Sequence, residues 1–363
     1  MERRVNRAMC SDALGLPRDK SGLRRASCRS NVRCFEADDG EGEPSAMKLT
    51  SIEICAGGGG QALGLEQAGF EHRALVEIDT FAAATLLHNR PQWRVYEEDV
   101  NRFIRDHARD YVGEIDLVAG GVPCPPFSVA GKQLGHQDER DLFPAAMRLV
   151  RKLKPKAVML ENVRGLLDPR FAEYRSNLDS QFKRAGYRSR WALLNASDYG
   201  VPQLRPRVVC VAMRAPLMDK FEFPAPSTPN GSAITVGMAL REMMASGGWE
   251  GAEDWAARAN RVAPTLVGGS KKHGGPDLGP TRAKKAWAEL GVDGLGVASH
   301  VPPKGFTGMP KLTVAMAGVL QGFPPEWEFQ GGKTAAYRQV GNAFPPPAAR
   351  AVGEQIRKAL EGR

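Results

Sequence analysis

The sequence predicts an α/β fold built on a mainly parallel sheet, and three observations predict it. From Met47 onward, short β-rich runs alternate with amphipathic helical stretches, the pattern of successive βαβ units. The first run breaks into Gly57-Gly58-Gly59-Gly60 directly before a helical segment. Later runs close on Glu77, on the Cys124 turn and on Glu161, so reactive side chains gather where open α/β sheets bind ligands, at the carboxyl ends of strands.

Taken in order, 49–55 is the first strand and 61–68 the helix after the glycines. Residues 74–78 form the second strand, followed by helices over 81–89 and 101–109. A buried-strand run over 115–120 precedes a helix over 140–152, a strand over 157–160, a helix over 172–185 and strands over 188–195 and 207–213. The chain turns Pro-rich at 223–228 and stays dense in Gly, Lys, Arg and Trp, with weak periodicity, to about Pro310. A helical stretch over 313–320 then leads to Gln321-Gly322-Phe323-Pro324, a Gly341-Asn342 loop and a C-terminal amphipathic helix over 348–360. The expected division is a catalytic and cofactor-binding domain over 47–227, a smaller inserted domain over 228–310, and a segment over 311–363 that completes the first.

Residues 1–46 show neither helical nor strand periodicity: nine Lys and Arg against three acids in 1–34, then five acids and no base in 35–46. They read as a disordered tail, either an organellar transit peptide or sequence upstream of a true start at Met47; the second reading is preferred. Across 363 residues, 42% hydrophobic and 25% charged content excludes wholesale disorder. No apolar run approaches the ~20 residues of a bilayer span, so a soluble protein of the cell interior with no membrane partner is expected. The formal charge of +9 favours an anionic partner such as nucleic acid. The cysteines Cys10, Cys28, Cys34, Cys55, Cys124 and Cys210 make no CxxC pair, so neither a metal site nor a disulfide framework is expected.

The Gly-rich turn lets backbone N–H groups approach a ligand, and Glu77, about 20 residues on, stands where a carboxylate can accept ribose hydroxyls. Asp99 could accept from an adenine amine. The plainer alternative is that Glu77 and Asp79 cap the helix near Thr80. Cys124 lies between Pro123 and Pro125 in an extended loop after a buried strand, whereas Cys55 and Cys210 fit a core reading. Glu161 either caps the following turn or protonates a heterocycle beside the cysteine. Gln203, Arg205 and Arg207 alternate along an extended segment as a polar comb, whose plain reading is a solvated edge.

In this order, the Gly-rich turn, Glu-Ile-Asp, Pro-Cys-Pro-Pro-Phe-Ser, Glu-Asn-Val, Gln-x-Arg-x-Arg, Gln-Gly-Phe-Pro and Gly-Asn-Ala-Phe resemble the DNA cytosine-5 methyltransferase family of prokaryotic restriction-modification type. The resemblance covers about 49–356 apart from the insert. It implies a Rossmann-like S-adenosylmethionine-dependent methyltransferase sheet with a smaller inserted target-recognition domain. It implies Cys124 as the nucleophile on carbon 6 of cytosine, Glu161 on ring nitrogen 3, Arg207 on the ring carbonyl and Arg205 supporting Glu161 or a phosphate. S-adenosyl-L-methionine would lie against Cys55, Ala56, Gly57, Gly59, Glu77, Ile78, Asp99 and Asn342, the last also bracing the Pro-Cys loop. Ser128, Thr265, Lys271 and Lys272 are candidate DNA contacts, as are Arg282, Lys284 and Lys285. Thiolate addition at carbon 6 makes carbon 5 nucleophilic, and the base must leave the duplex to reach the thiol.

The implied partner is double-stranded DNA, with a cognate restriction endonuclease alongside, and the implied state is a monomer in a prokaryotic cytoplasm at the nucleoid. Departures from the family pattern are Glu53 where Asp is usual, Cys55 in place of an aromatic, Ile78 in place of Trp, and Ala315-Met316 in place of Arg-Glu, which weakens the expected bracing of the inserted domain. The alternatives are an RNA (tRNA) cytosine-5 methyltransferase of the same architecture, a silent DNA-binding relative and an NAD enzyme. The last leaves Cys124, Glu161 and the arginines unexplained.

Overall fold

Seven strands among the described residues form one sheet in the order β3-β2-β1-β4-β5-β7-β6. They are β1 (Leu49–Ile54), β2 (Phe70–Glu77), β3 (Val95–Glu97), β4 (Leu117–Gly120), β5 (Ala157–Val163), β6 (Tyr187–Asn195) and β7 (Pro206–Arg214). The computed structural model describes residues 48–123, 141–228, 232–269 and 275–362. The expected tail over 1–46, Cys124, Ser128, Lys271 and Lys272 lie outside the described residues.

The five strands from β3 to β5 pair in parallel, and β7 runs antiparallel between β5 and β6. Strands covered on both faces need apolar side chains at every position. In β5, Ala157 and Met159 enter the core on one face of the sheet, and Val158 and Leu160 the core on the other. The strand order reverses between β1 and β4, which opens a crevice at their carboxyl ends.

The helices beside the sheet are α1 (Gly60–Gln67), α2 (Thr80–Asn89), α3 (Val100–Asp106), α4 (Phe143–Leu153), α5 (Ala172–Arg184) and the single turn α6 (Ala215–Met218). Next come α7 (Val236–Ala245), α8 (Ala252–Arg258), α9 (Thr281–Ala288), α10 (Val314–Leu320), α11 (Lys333–Asn342) and α12 (Pro346–Glu361). Helix α12 buries Ala348, Ala349, Val352, Ile356 and Ala359 in the same core as Leu65 of α1, so the chain's last helix covers the first βα unit. Leu240, Trp255 and Trp287 of the Gly/Pro-rich stretch share a core with Met316, Leu320 and Tyr337. No helix among the described residues is long and apolar enough to cross a membrane.

Three local expectations need correction. Strand β3 was not anticipated, because its three residues carry no alternation of their own and are ordered by pairing with Leu75–Glu77. Strand β2 starts at Phe70 rather than 74, since Phe70 and His72 alternate inward with exposed Glu71 and Arg73. Gly341 and Asn342 form the last turn of α11, not a loop. A Cβ on Gly341 would lie 2.2 Å from the Gly268 nitrogen, so glycine is there for close backbone approach rather than to break the helix.

Candidate active site

The turn after β1 begins at Cys55 with φ 55°, a left-handed conformation uncommon outside glycine. Gly59 has φ 88°, and a Cβ there would come within 2.8 Å of both Leu86 and Trp327, so this position admits no side chain. The Gly57 N–H donates to Glu77 Oε2 at 2.7 Å and the Asp79 N–H to Glu77 Oε1 at 2.7 Å. Glu77 thereby ties the end of β2 to the turn after β1. Burial raises its carboxyl above the usual range while these backbone N–H groups oppose the rise. Asp79 accepts from the Phe81 and Ala82 N–H groups and faces Arg338 at 3.6 Å. The capping alternative therefore holds for Asp79 and not for Glu77.

At the ends of β4 and β5, Asn162 Nδ2 donates to the Val122 carbonyl at 2.8 Å, fastening the backbone two residues before Cys124. Glu161 is buried, and its Oε1 lies 2.8 Å from Arg207 Nε. It does not cap the turn over Arg164–Leu167, which has no side-chain cap. Burial pushes the Glu161 carboxyl up, with Arg207 and then Arg205 opposing. That places a carboxyl with a raised proton affinity at the sheet edge, a state suited to donating to a ring nitrogen.

The polar comb is not a solvated edge: Gln203 and Arg205 are buried, and Arg207 is half-buried against Glu161. Arg205 is fully buried and donates to the carbonyls of Leu266 at 2.7 Å, Gly341 at 2.7 Å and Ala343 at 2.9 Å. Gln203 donates to Leu320 O and to Gln321 Oε1 and accepts from the Leu266 N–H. Gln321 in turn donates to Ala343 O. These side chains join the segment before β7, residue 266, the end of α10 and the end of α11.

One cavity of about 240 Å³ collects the strand ends. Of the expected cofactor residues, Cys55, Ala56, Gly57, Glu77 and Asn342 line it, and so does Glu161. Gly59, Ile78 and Asp99 are outside its lining: Ile78 is exposed, and Asp99 caps α3 through the Asn101 N–H. Cys55 packs against the core and also faces the cavity, so a purely core reading of it does not hold. Burial, then the charges of Glu77, Glu53 and Asp99, push its thiol up, which disfavours a nucleophilic thiolate there. Cys210 is buried in β7 as a core residue.

Sequence reasoning missed Glu53, Gln61, Gly121, Arg338, Gln339 and Phe344 as lining residues. Glu53 and Gln61 carried a readable signal, being polar residues set into an otherwise apolar strand and helix start beside the glycines. Asn342 Nδ2 donates to Gly269 O at 3.3 Å. The Thr265 hydroxyl donates to Leu204 O, and Lys284 is paired with Asp277 at 2.8 Å, whereas Arg282 and Lys285 are exposed.

Residues 49–358 match the family model described as C-5 cytosine-specific DNA methylase. The Type II methyltransferase M.NaeI of Lentzea aerocolonigenes is 56% identical over 324 residues, 87% of this chain and 78% of that protein. The Type II methyltransferase M.NgoMIV of Neisseria gonorrhoeae is 52% identical over 318 residues, 87% of this chain and 99% of that protein. Among solved structures, the S. pombe Dnmt2 methyltransferase shares the fold, with a TM-score of 0.56 at 15% identity over 86% of this chain and 98% of that one. With the sheet, the cavity and the matched span in agreement, the chain belongs to the C-5 cytosine-specific DNA methylase family and is a DNA cytosine-5 methyltransferase.

Proposed function

We propose that this enzyme methylates carbon 5 of one cytosine within a specific duplex DNA sequence, using S-adenosylmethionine and a transient covalent bond from Cys124 to an extruded base. The observation that carries the reading is the continuity of one cavity from Gly57 and Glu77 to Glu161, which lets a donor at one end meet a pyrimidine at the other. The lining suits the cofactor: Glu77 offers a ribose acceptor, and among the described lining residues acidic side chains outnumber basic ones, which favours a cationic ligand. When bound, S-adenosylmethionine supplies an electrophilic methyl group.

Cys124 adds to carbon 6 of the cytosine as thiolate while Glu161 hydrogen-bonds ring nitrogen 3 and supplies its proton. Arg207 holds Glu161 in place and faces the ring carbonyl. Carbon 5 becomes an enamine carbon; after methylation a solvent base takes its proton, the thiolate leaves, and the nitrogen 3 proton returns to Glu161, which restores the ring. Asn162 steadies the approach to the Cys124 loop through Val122. Extrusion of the base costs a few kcal/mol of stacking and pairing, recovered in the pocket.

Residues 228–310 are assigned to target recognition, with Thr265 near the vacated base position; Ser128 is a candidate DNA contact, and Lys271, Lys272, Arg282 and Lys285 are candidate phosphate contacts, which would set affinity rather than sequence. The relatives' Type II names support a partner restriction endonuclease; the enzyme is further proposed to act as a monomer in the cytoplasm. The test is methyl transfer from labelled S-adenosylmethionine to duplex DNA and to tRNA in parallel. Label in 5-methylcytosine of the duplex is expected; label confined to tRNA would overturn the assignment to DNA.

A further inference from the structure

The end of the sheet opposite the cavity carries a basic surface with no acids set against it. Strand β7 runs antiparallel to β5, from Arg207 beside Val163 to Met213 beside Ala157. At about 3.3 Å per residue, that run puts Arg214 roughly 20 Å from the end where Arg207 meets Glu161. Helices α4 and α5 finish at the same place. Arg214 Nη2 donates to the Lys154 carbonyl at 3.1 Å, and its guanidinium lies 5.4 Å over the Tyr187 ring. The Tyr187 hydroxyl donates to the Pro155 carbonyl at 2.6 Å, and Arg151 Nη2 donates to Gln181 Oε1 at 3.0 Å. These bonds gather Arg151 and Lys154 from the end of α4, Lys183 and Arg184 from the end of α5, and Arg214 onto one face, where all are exposed.

Among the described residues none of these cations forms an ion pair. The acids nearest to them in the chain are engaged elsewhere: Asp116 with Lys156 at 2.7 Å, Asp219 with Arg188, and Asp179 with the Ser189 hydroxyl at 2.6 Å and the Trp191 indole at 2.8 Å. Helix dipoles favour a cation in a last turn, which accounts for Arg151, Lys183 and Arg184 one at a time. They do not account for Lys154, beyond the end of its helix, or for Arg214, at the end of a strand. Like charges on one face repel, and a polyanion relieves that repulsion. No large apolar side chain is exposed over 148–156, 179–190 or 212–216. A protein partner needs a dehydrated, largely apolar centre to its interface, whereas a nucleic-acid backbone is held by charge.

We propose that this face is a second, sequence-independent binding surface for duplex DNA, which Arg151, Lys154, Lys183, Arg184 and Arg214 hold by its phosphates. The proposal rests on the reading that the cavity side of the sheet takes the substrate duplex. The second surface holds a neighbouring segment, so the enzyme passes from one stretch of DNA to another without leaving both. It acts on capture of DNA and not on methyl transfer.

The test is fluorescence titration and equilibrium sedimentation of the full chain with a short labelled duplex. Two variants are compared with the unaltered protein: one combines Lys154→Gln, Lys183→Gln and Arg184→Gln, and the other combines Lys183→Arg with Arg184→Lys and keeps every charge. Plasmid methylation and thermal unfolding are measured alongside. The unaltered protein and the charge-keeping variant are expected to bind two duplexes per chain. With about five phosphate contacts, the second duplex should lose roughly twentyfold in affinity for each doubling of salt. The neutralised variant is expected to lose about tenfold or more in affinity for the second duplex. It should keep the first duplex, its methylation rate at saturating plasmid and its unfolding temperature, since the altered side chains are exposed.

One duplex per chain for the unaltered protein, a second duplex that survives neutralisation, or one that ignores salt would overturn the proposal. So would competition in which anionic phospholipid vesicles or polyglutamate displace the second duplex in preference to unlabelled DNA, which would make the face a membrane or protein contact. Loss of the first duplex and of methylation together, in a variant that unfolds normally, would place these residues in the substrate cleft and overturn it as well. Methylation of tRNA and not of plasmid by the unaltered protein would instead remove the reading of the cavity side, whatever the number of duplexes bound.

Discussion

Arg207 Nε lies 2.8 Å from Glu161 Oε1, and the pair, Glu161 buried and Arg207 half-buried, sits at the boundary between the parallel and antiparallel parts of the sheet. Glu161 reaches the cavity from β5, and Arg207 reaches Glu161 from β7, two residues before Val209, the cross-strand partner of Glu161. The ion pair therefore depends on the antiparallel insertion of β7 beside β5. Burial raises the Glu161 carboxyl in spite of its guanidinium, and a proton donor for ring nitrogen 3 needs that balance.

Glu161→Gln preserves the shape and removes the transferable proton. Single-turnover methylation is expected to fall by about 10²–10⁴-fold, the usual range for a lost general acid, with DNA binding in gel-shift assays unchanged. A fall below about threefold would remove Glu161 from the chemistry.

Arg205→Met leaves the Leu266, Gly341 and Ala343 carbonyls without their donor. At about 1–3 kcal/mol for each unsatisfied buried group, a destabilisation of roughly 3 kcal/mol or more is expected in urea unfolding. A loss of activity without loss of stability would instead place Arg205 at the substrate.

Thr313 Oγ1 accepts the Met316 N–H at 3.2 Å, and Met316 Sδ lies 3.5 Å from the Thr313 N–H, so a thioether takes the part of a glutamate in this capping box. Met316 is fully buried in the core that joins the inserted stretch to α10 and α11. Thr313→Ala should cost about 1 kcal/mol. Met316→Glu, which restores the family residue, should cost more, because its charge would be buried among apolar side chains. Urea midpoints of both variants check the order; a stabilising Met316→Glu would contradict it.

Burial, then the charges of Glu77 and Glu161, hold the Glu53 carboxyl well above the ordinary value of 4.5. Its folded form binds a proton more tightly than its unfolded form, so its contribution to stability is present below pH 4.5 and is lost as pH rises toward the folded value. Glu53→Gln should unfold at nearly the same temperature as the unaltered protein at pH 4.5 and at a higher one at pH 8. A pH-independent difference would show that Glu53 does not titrate in this way.

The strand ends were legible in the sequence because a buried strand that closes on Glu77 or Glu161 can deliver the side chain only at the sheet edge. The Gly-rich turn was legible for the same reason. The environment of the comb was not: Arg205 meets Leu266, Gly341 and Ala343, which lie 61 to 138 residues away, and no local period encodes such partners. Gly341 inside α11 misled because glycine usually signals a helix end, and here its hydrogen makes room for the Gly268 backbone. Glu53 and Gln61 were visible as polar residues in apolar settings, yet their shared cavity required the crossing of β1 with the start of α1.

The central claim is the covalent step, and the most direct measurement is mass spectrometry after incubation with S-adenosylmethionine and duplex DNA in which 5-fluorocytosine replaces cytosine. Fluorine at carbon 5 cannot leave as the proton does, so the thiolate stays attached. The account predicts a peptide carrying fluorinated, methylated pyrimidine on Cys124. A preparation that methylates ordinary duplex DNA and yields no adduct at Cys124 would contradict it.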